Sequence, residues 1–203
     1  MGEKQALRPY QEAARKSIHT EWENGRLRTL LVLPTGTGKT IVFASVAADQ
    51  VRAGDRVLIL AHRGELLEQA ADKLQRSTGL VSAVEKAEST CLDSWYRVVV
   101  GSVQTLQRPA RLERFPRDYF GTIIIDEAHH SITDGYRRIL DYFGSAKVLG
   151  VTATPDRGDM RNLGEVFDSL AYEYKLTDAS KTATSAASWP RPSPSSWTSP
   201  PWA

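Results

Sequence analysis

Runs of consecutive apolar residues punctuate the chain at Leu30–Leu33, Val57–Ala61, Val98–Val100, Ile123–Ile125 and Val148–Val151. Segments with helical spacing lie between most of them, notably Thr40–Arg52, Gly64–Arg76 and Gly135–Phe143. Runs of Val, Ile and Leu without polar alternation are what strands buried on both faces look like. Strands alternating with helices predict βαβ units, hence an α/β fold with one parallel sheet and helices on both faces. In such sheets ligands gather beyond the carboxyl ends of the strands. The residues that follow each run are therefore where chemistry is to be sought.

Composition narrows the picture without changing it. A chain of 203 residues is long enough for one α/β domain and too short for two with generous cores. Hydrophobic content of 41% and charged content of 25% are those of an ordinary globular protein. A net charge of +2 permits a nucleic-acid partner without arguing for one. The single cysteine, Cys91, excludes an internal disulfide and a zinc site of several thiolates, and fits a reducing compartment. The start of the chain, Met1 to Ala6, lacks the apolar core of a signal peptide, and Ala6 stands where a myristoylation pattern wants Ser or Thr. The longest apolar stretch, Ile41 to Ala48, falls far below the ~20 residues that span a bilayer. These features predict a soluble, cytoplasmic protein.

The patterning stops abruptly near Asp178. Residues 179–203 hold seven Ser, five Pro, five Ala, three Thr and three of the five Trp, with no acidic residue and no Leu, Ile or Val. Such a segment cannot bury a core and is expected to be disordered. The division is thus 1–178 as one patterned domain and 179–203 as a low-complexity tail. The sudden change reads as a loss of reading frame near Ala179, with a genuine Pro/Ser-rich tail as the alternative.

Two strand ends carry the chemistry. Pro34-Thr35-Gly36-Thr37-Gly38-Lys39-Thr40 follows the first apolar run and opens a helix. Gly36 and Gly38 let successive N–H groups wrap an anion, and the helix adds its positive end. Lys39 would reach the β- and γ-phosphates and the Thr40 hydroxyl would ligate Mg²⁺. Leu33 departs from the usual pattern, which begins with glycine at that position. At the second end, Ile123–Ile125 runs into Asp126-Glu127-Ala128-His129. One carboxylate to hold the metal and one to polarise water is what hydrolysis of a phosphoanhydride needs; Asp126 takes the first role and Glu127 that of general base. His129 is a candidate sensor of the γ-phosphate or a link to Thr152. A metal cluster of Asp126, Glu127, His129 and His130 is the competing reading; it is disfavoured because adjacent histidines at a strand end should point apart.

These segments, in this order, resemble the first RecA-like domain of superfamily 2 DEAD/DEAH-box helicases, and in particular the type III restriction subunit and RadD-like group. The resemblance covers roughly Ala6 to Asp178. It implies a RecA-like P-loop NTPase fold, ATP and Mg²⁺ as cofactors, and DNA as partner. Leu7-Arg8-Pro9-Tyr10-Gln11 looks like the family's adenine-reading motif, with the Gln11 amide matched to adenine N6 and N7 and Arg8 beside it. Ala61-His62-Arg63 resembles motif Ia, and Gly101-Ser102-Val103-Gln104-Thr105 motif Ib. Both imply sequence-independent contacts to the nucleic-acid backbone, with His62, Arg63, Ser102, Gln104 and Thr105 as candidates. Arg108, Arg111, Arg114 and Arg117 could extend that track or be a solvated surface. Gly150-Val151-Thr152-Ala153-Thr154-Pro155 resembles motif III, in which Thr152 and Thr154 would couple hydrolysis to strand movement.

Members of this family hydrolyse ATP between two RecA-like domains, the second supplying an arginine finger. The 203 residues have no room for that domain, so the resemblance implies an ATP-binding half-site that hydrolyses weakly or not at all, completed by a partner domain or subunit. A non-catalytic ATP- and DNA-binding module is the rival. A small-molecule P-loop kinase explains Pro34–Thr40 but neither Asp126–His129 nor Thr152–Thr154.

Overall fold

All of the apolar runs become neighbouring strands of one sheet in a computed structural model, which describes residues 6–61, 64–85, 90–92, 94–153, 160 and 162–174, with backbone alone for 64–66. The elements in chain order are α1 Pro9–Glu23, β1 Arg28–Val32, α2 Lys39–Arg52, β2 Val57–Ala61, α3 Gly64–Thr78, β3 Ser82–Glu85, β4 Val98–Ser102, α4 Val103–Leu106, α5 Pro109–Leu112, β5 Thr122–Asp126, a 3-10 turn Ala128–Ile132, α6 Asp134–Tyr142, β6 Lys147–Thr152 and β7 Ser169–Glu173. The strand order is β3-β4-β2-β5-β6-β1-β7, and every pairing is parallel. The expected tail, 179–203, lies outside the described residues.

Each central strand divides its side chains between two cores. Leu30 and Val32 of β1, Leu58 and Leu60 of β2, and Ile123 and Ile125 of β5 face one layer. Leu31, Val57, Ile59, Ile124, Leu149 and Val151 face the other. That is the period of two that a pleated strand imposes, and it explains why both faces demanded apolar residues. Burying one such side chain contributes about 1.5–3 kcal/mol.

Two strands and three helices, the short α4 and α5 and the longer α1, exceed the apolar-run reading. β3 and β7 are the edges of the sheet, where half-buried Ser82, Ala83, Leu170 and Ala171 suffice. α1 buries Gln11, Ala14, Ile18 and Trp22, one stripe along an otherwise charged helix. It is fastened to α2 by Asp49, whose carboxylate accepts from Arg15 Nε at 2.5 Å and Nη2 at 3.0 Å, lies 3.0 Å from His19 Nε2, and accepts from Arg52 Nη1 at 2.9 Å. Burial pushes this carboxyl's pKa up, but Arg15 and His19 outweigh it and hold it below the usual carboxylate range.

Several buried polar atoms lack a partner among the described residues, Trp22 Nε1, Ser131 Oγ and the Tyr136 hydroxyl among them. Tyr136 is fully buried, and its hydroxyl has no hydrogen-bond partner among the described residues. Burial, then the charge of Asp126, push the phenol above its ordinary range. An unpaired buried hydroxyl costs about 1–3 kcal/mol. Tyr136→Phe is therefore expected to raise the unfolding midpoint, by roughly 2–4 °C for each kcal/mol recovered in a domain of this size. A lower midpoint in thermal denaturation would show that the hydroxyl is satisfied in solution.

Candidate nucleotide site

The strand order brings the chemistry together. β6 lies between β1 and β5, so the loop after β1, the carboxylates after β5 and Thr152 at the end of β6 all emerge at one edge of the sheet. β2 and β4 end on the same edge, on the other side of β5.

Leu33 is fully buried and packs into the core with Leu31; its N–H donates to the Thr152 carbonyl at 3.0 Å. It is the last residue of the core and not part of the loop lining, so a side chain there does not obstruct a ligand. The loop turns next. Thr37 Oγ1 donates to the Pro34 carbonyl at 2.6 Å, and Gly36 and Gly38 take φ of 84° and 83°, values that cost side-chain-bearing residues roughly 1–2 kcal/mol. Gly38 caps α2, and a β-carbon on it would stand 2.5 Å from Gln11 Nε2. Thr35 and Gly36 are exposed, while Lys39 and Thr40 lie half-buried on the first turn of α2.

Gln11 is buried against this loop. Its Oε1 accepts from the Arg8 N–H at 2.9 Å and its Nε2 donates to the Thr37 carbonyl at 3.0 Å. That carbonyl also accepts from the Tyr10 hydroxyl at 2.6 Å. Ala6, Arg8, Gln11, Gly36, Thr37, Gly38 and Ile41 line a cleft of about 120 Å³. The Arg8–Gln11 segment and the Pro34–Thr40 loop thus share one continuous wall.

On the facing side, Lys39 Nζ donates to Glu127 Oε1 at 3.2 Å, and the Lys39 side chain is only 13% exposed. Glu127 is the only described non-glycine residue with positive φ, at 54°; together with ψ of 57° this is left-handed helical backbone. Asp126 Oδ1 accepts from the Glu127 N–H at 3.0 Å. Burial first, and then the neighbouring Glu127, push the Asp126 carboxyl's pKa up against the counteracting charge of Lys39. The sign matters: a raised acid pKa means the fold loses stability as pH rises from the unfolded value through the folded one. A desolvated carboxylate of this kind is suited to a hard cation with oxygen ligands, such as Mg²⁺.

His129 Nδ1 lies 3.5 Å from Thr152 Oγ1 and 3.5 Å from Glu127 Oε2. The adjacent histidines do not diverge, contrary to the strand-end reading: their ring centroids are 4.1 Å apart with an interplanar angle of 47°. The reason is that the strand has ended by Glu127 and both lie on the 3-10 turn. Of the candidate nucleic-acid residues, Ser102 and Thr105 are buried and Gln104 is exposed. His62, Arg63 and Thr154 lie outside the residues whose side chains are described. The four arginines do not form one track. Arg111 Nε donates to the fully buried Glu85 at 2.5 Å, and Arg117 sits over the Tyr142 ring. The sequence did not single out Tyr10, whose hydroxyl reaches the loop, although its place beside Gln11 was a signal that pointed there.

A glycine-built anion loop beside the desolvated Asp126 and the neighbouring Glu127, at one edge of a parallel sheet, defines a P-loop nucleotide-binding lobe. The family model described as "Type III restriction enzyme, res subunit" matches residues 4–157, and the chain belongs to that family, whose domain is the N-terminal RecA-like lobe of superfamily 2 helicases. IRC3 of Saccharomyces cerevisiae, named provisionally as an ATP-dependent helicase, is 36% identical over 180 residues, covering 82% of this chain and 26% of that protein. The type I restriction enzyme EcoAI endonuclease subunit of Escherichia coli is 31% identical over 187 residues, covering 87% and 23%. The type ISP restriction-modification enzyme LlaGI, solved with a DNA substrate mimic, matches in fold with a TM-score of 0.66 at 20% identity, over 86% of this chain and 20% of that one. The chain therefore spans about a quarter of the curated relatives it matches. No described helix is long and apolar enough to cross a membrane.

Proposed function

We propose that this chain is the nucleotide-binding half of an ATP-dependent DNA helicase or translocase, holding ATP between the phosphate loop and the Asp126–Glu127 edge. One observation carries the reading: Lys39 and Glu127, 88 residues apart, meet at 3.2 Å beside the glycine-built loop. In this reading the loop N–H groups and Lys39 bind the phosphates, and the Arg8–Gln11 segment faces the base. Mg²⁺, held by Thr40 and Asp126, would screen the phosphate charge. Glu127 takes the proton from the attacking water. His129 and Thr152 link the edge of β5 to that of β6, with Thr154 beyond. DNA lies across the ends of β2 and β4, where His62, Arg63, Ser102, Gln104 and Thr105 are the candidates. Because Ser102 and Thr105 are buried, contact there falls to Gln104 and to the backbone. A DNA partner is supported by the LlaGI likeness and by the restriction subunit among the relatives. The 203 residues provide one lobe, so turnover is slow until a partner lobe completes the site. A cytoplasmic location and a division at 178/179 remain part of the proposal.

The Lys39–Glu127 pair must open before a γ-phosphate can reach Lys39. Removing the Glu127 charge eases that opening and removes its repulsion of the phosphates. Glu127→Gln is expected to tighten ATP·Mg²⁺ binding by roughly tenfold, the equivalent of one charge-assisted hydrogen bond, and to abolish any hydrolysis. Isothermal titration with ATP·Mg²⁺ and a phosphate-release assay, each with and without single-stranded DNA, test this. A chain that binds no ATP would overturn the proposal; binding with hydrolysis unaltered by Glu127→Gln would remove Glu127 from its role.

A further inference from the structure

The contacts of Tyr10 form a closed circuit. Its hydroxyl donates to the Thr37 carbonyl at 2.6 Å. Its ring is stacked on Tyr174, with centroids 4.4 Å apart and planes 25° from parallel. The Tyr174 N–H in turn donates at 3.0 Å to the carbonyl of Val32, the last residue of β1 before the loop. From Val32 the chain runs through Pro34 back to Thr37. Two elements far apart in sequence, the start of α1 and the end of β7, thus close a ring around the phosphate loop.

The chemistry of a peptide plane gives this circuit a purpose. In a trans peptide the Thr37 carbonyl and the Gly38 N–H point in opposite directions. Both acceptor positions of that carbonyl are occupied, by Tyr10 and by Gln11 Nε2. With the carbonyl held towards α1, the Gly38 N–H is held away from it, at the foot of α2 where an anion would be bound. Gly38, with φ of 83°, has a wide conformational range, so its N–H stays aimed only if something outside the loop holds it.

We infer that Tyr10 is a positioning residue for phosphate binding, and that its hold depends on Tyr174, so that the anion affinity of the loop is tied to the place where the chain leaves the sheet. The inference rests on the nucleotide reading above and adds to it a part in gripping phosphate rather than base. Tyr10 touches no phosphate; it acts through the Thr37–Gly38 peptide. Because that peptide serves the phosphates, the effect is independent of the base. The stack with Tyr174 fixes the ring from which the hydroxyl reaches the loop. Without it, Tyr10 gains rotamer freedom and the hydroxyl leaves its acceptor.

The test uses the full 203-residue chain, titrated calorimetrically with ATP·Mg²⁺ and with GTP·Mg²⁺. Tyr10→Phe keeps the ring and removes the hydroxyl; it is expected to weaken both nucleotides by about threefold to tenfold, the value of one hydrogen bond, leaving their ratio unchanged. Tyr174→Leu should do the same, whereas Tyr174→Phe, which keeps the stack, should not. The double variant Tyr10→Phe/Tyr174→Leu should be no weaker than the worse single change, as for two residues acting through one contact. An unchanged affinity in Tyr10→Phe, or a loss confined to ATP, would overturn the phosphate role. Losses that multiply in the double variant would overturn the link to Tyr174. Unfolding midpoints guard against trivial loss of structure, and if Tyr174→Leu does not fold, Tyr10→Phe alone decides. If the unaltered chain binds neither nucleotide, the nucleotide reading itself fails and takes this inference with it. Binding by the unaltered chain combined with indifference to Tyr10 overturns this inference only.

Discussion

ATP hydrolysis by the 203-residue chain alone is expected to run about 10³–10⁵-fold slower than by the same lobe completed with an arginine from a second lobe, since that is what an arginine finger contributes in related phosphoryl-transfer sites. At about 1.4 kcal/mol per tenfold, this is roughly 4–7 kcal/mol of transition-state stabilisation. Lys39 is the cation found beside Glu127, and in the resting lobe its charge is engaged with that carboxylate rather than free for a transferring phosphoryl group. Single-turnover hydrolysis with protein in excess over radiolabelled ATP measures the isolated lobe. A fusion to the second RecA-like lobe of a family member measures the completed one. Turnover on the order of 10 s⁻¹, typical of a finished enzyme, by the monomer alone would refute the half-site.

Lys39→Ala has the next largest expected effect. A charge-assisted hydrogen bond is worth about 1.5–3 kcal/mol, which is roughly tenfold to a hundredfold in ATP affinity. The upper end is expected because the change does two things. It removes the cation that meets the phosphates, and it strips Glu127 of its nearest counter-charge, leaving His129 Nδ1 at 3.5 Å and an acidic edge facing an anionic ligand. In the Lys39→Ala background Glu127→Gln should therefore tighten binding by more than it does in the unaltered chain, because the repulsion it removes is no longer screened by Lys39 and residues in direct contact do not contribute independently. Titration of the two single variants and the double variant with ATP·Mg²⁺ checks this. Additive effects would mean that the 3.2 Å pair of the resting lobe does not persist in solution.

Much of this was legible in the sequence, for reasons that can be stated. Ile123–Ile125, Leu30–Leu33 and Val148–Val151 are central strands covered by helices on both faces, and nothing but apolar residues fits there. The phosphate loop was legible because its glycines answer a backbone demand, and Gly36 and Gly38 do adopt positive φ. The edge strands were not. Ser82–Glu85 and Ser169–Glu173 each have one neighbour, so half of the burial pressure that writes a strand into sequence is absent. Arg111 shows the same limit for charge: one of four regularly placed arginines, it lies in the buried pair with Glu85, a partner 26 residues away that no local pattern reveals. The left-handed backbone of Glu127 was also invisible, because a glutamate carries no local preference for it. That conformation is held by the surrounding fold, as strained residues at functional sites are.

Every strand of this sheet runs in the same direction, so β7 ends at the rim where the phosphate loop and the carboxylates sit, and the chain passes Tyr174 on its way out. Whatever is attached beyond that residue is leashed to the mouth of the site. A group on a short flexible leash experiences an effective concentration on the order of millimolar. The same group offered as a separate molecule at micromolar levels must find the rim by diffusion, at about a thousandth of that local abundance. On the proposed reading, a second lobe attached there needs only weak affinity for this one, and an interface adequate for the joined protein can leave the separated halves almost entirely apart.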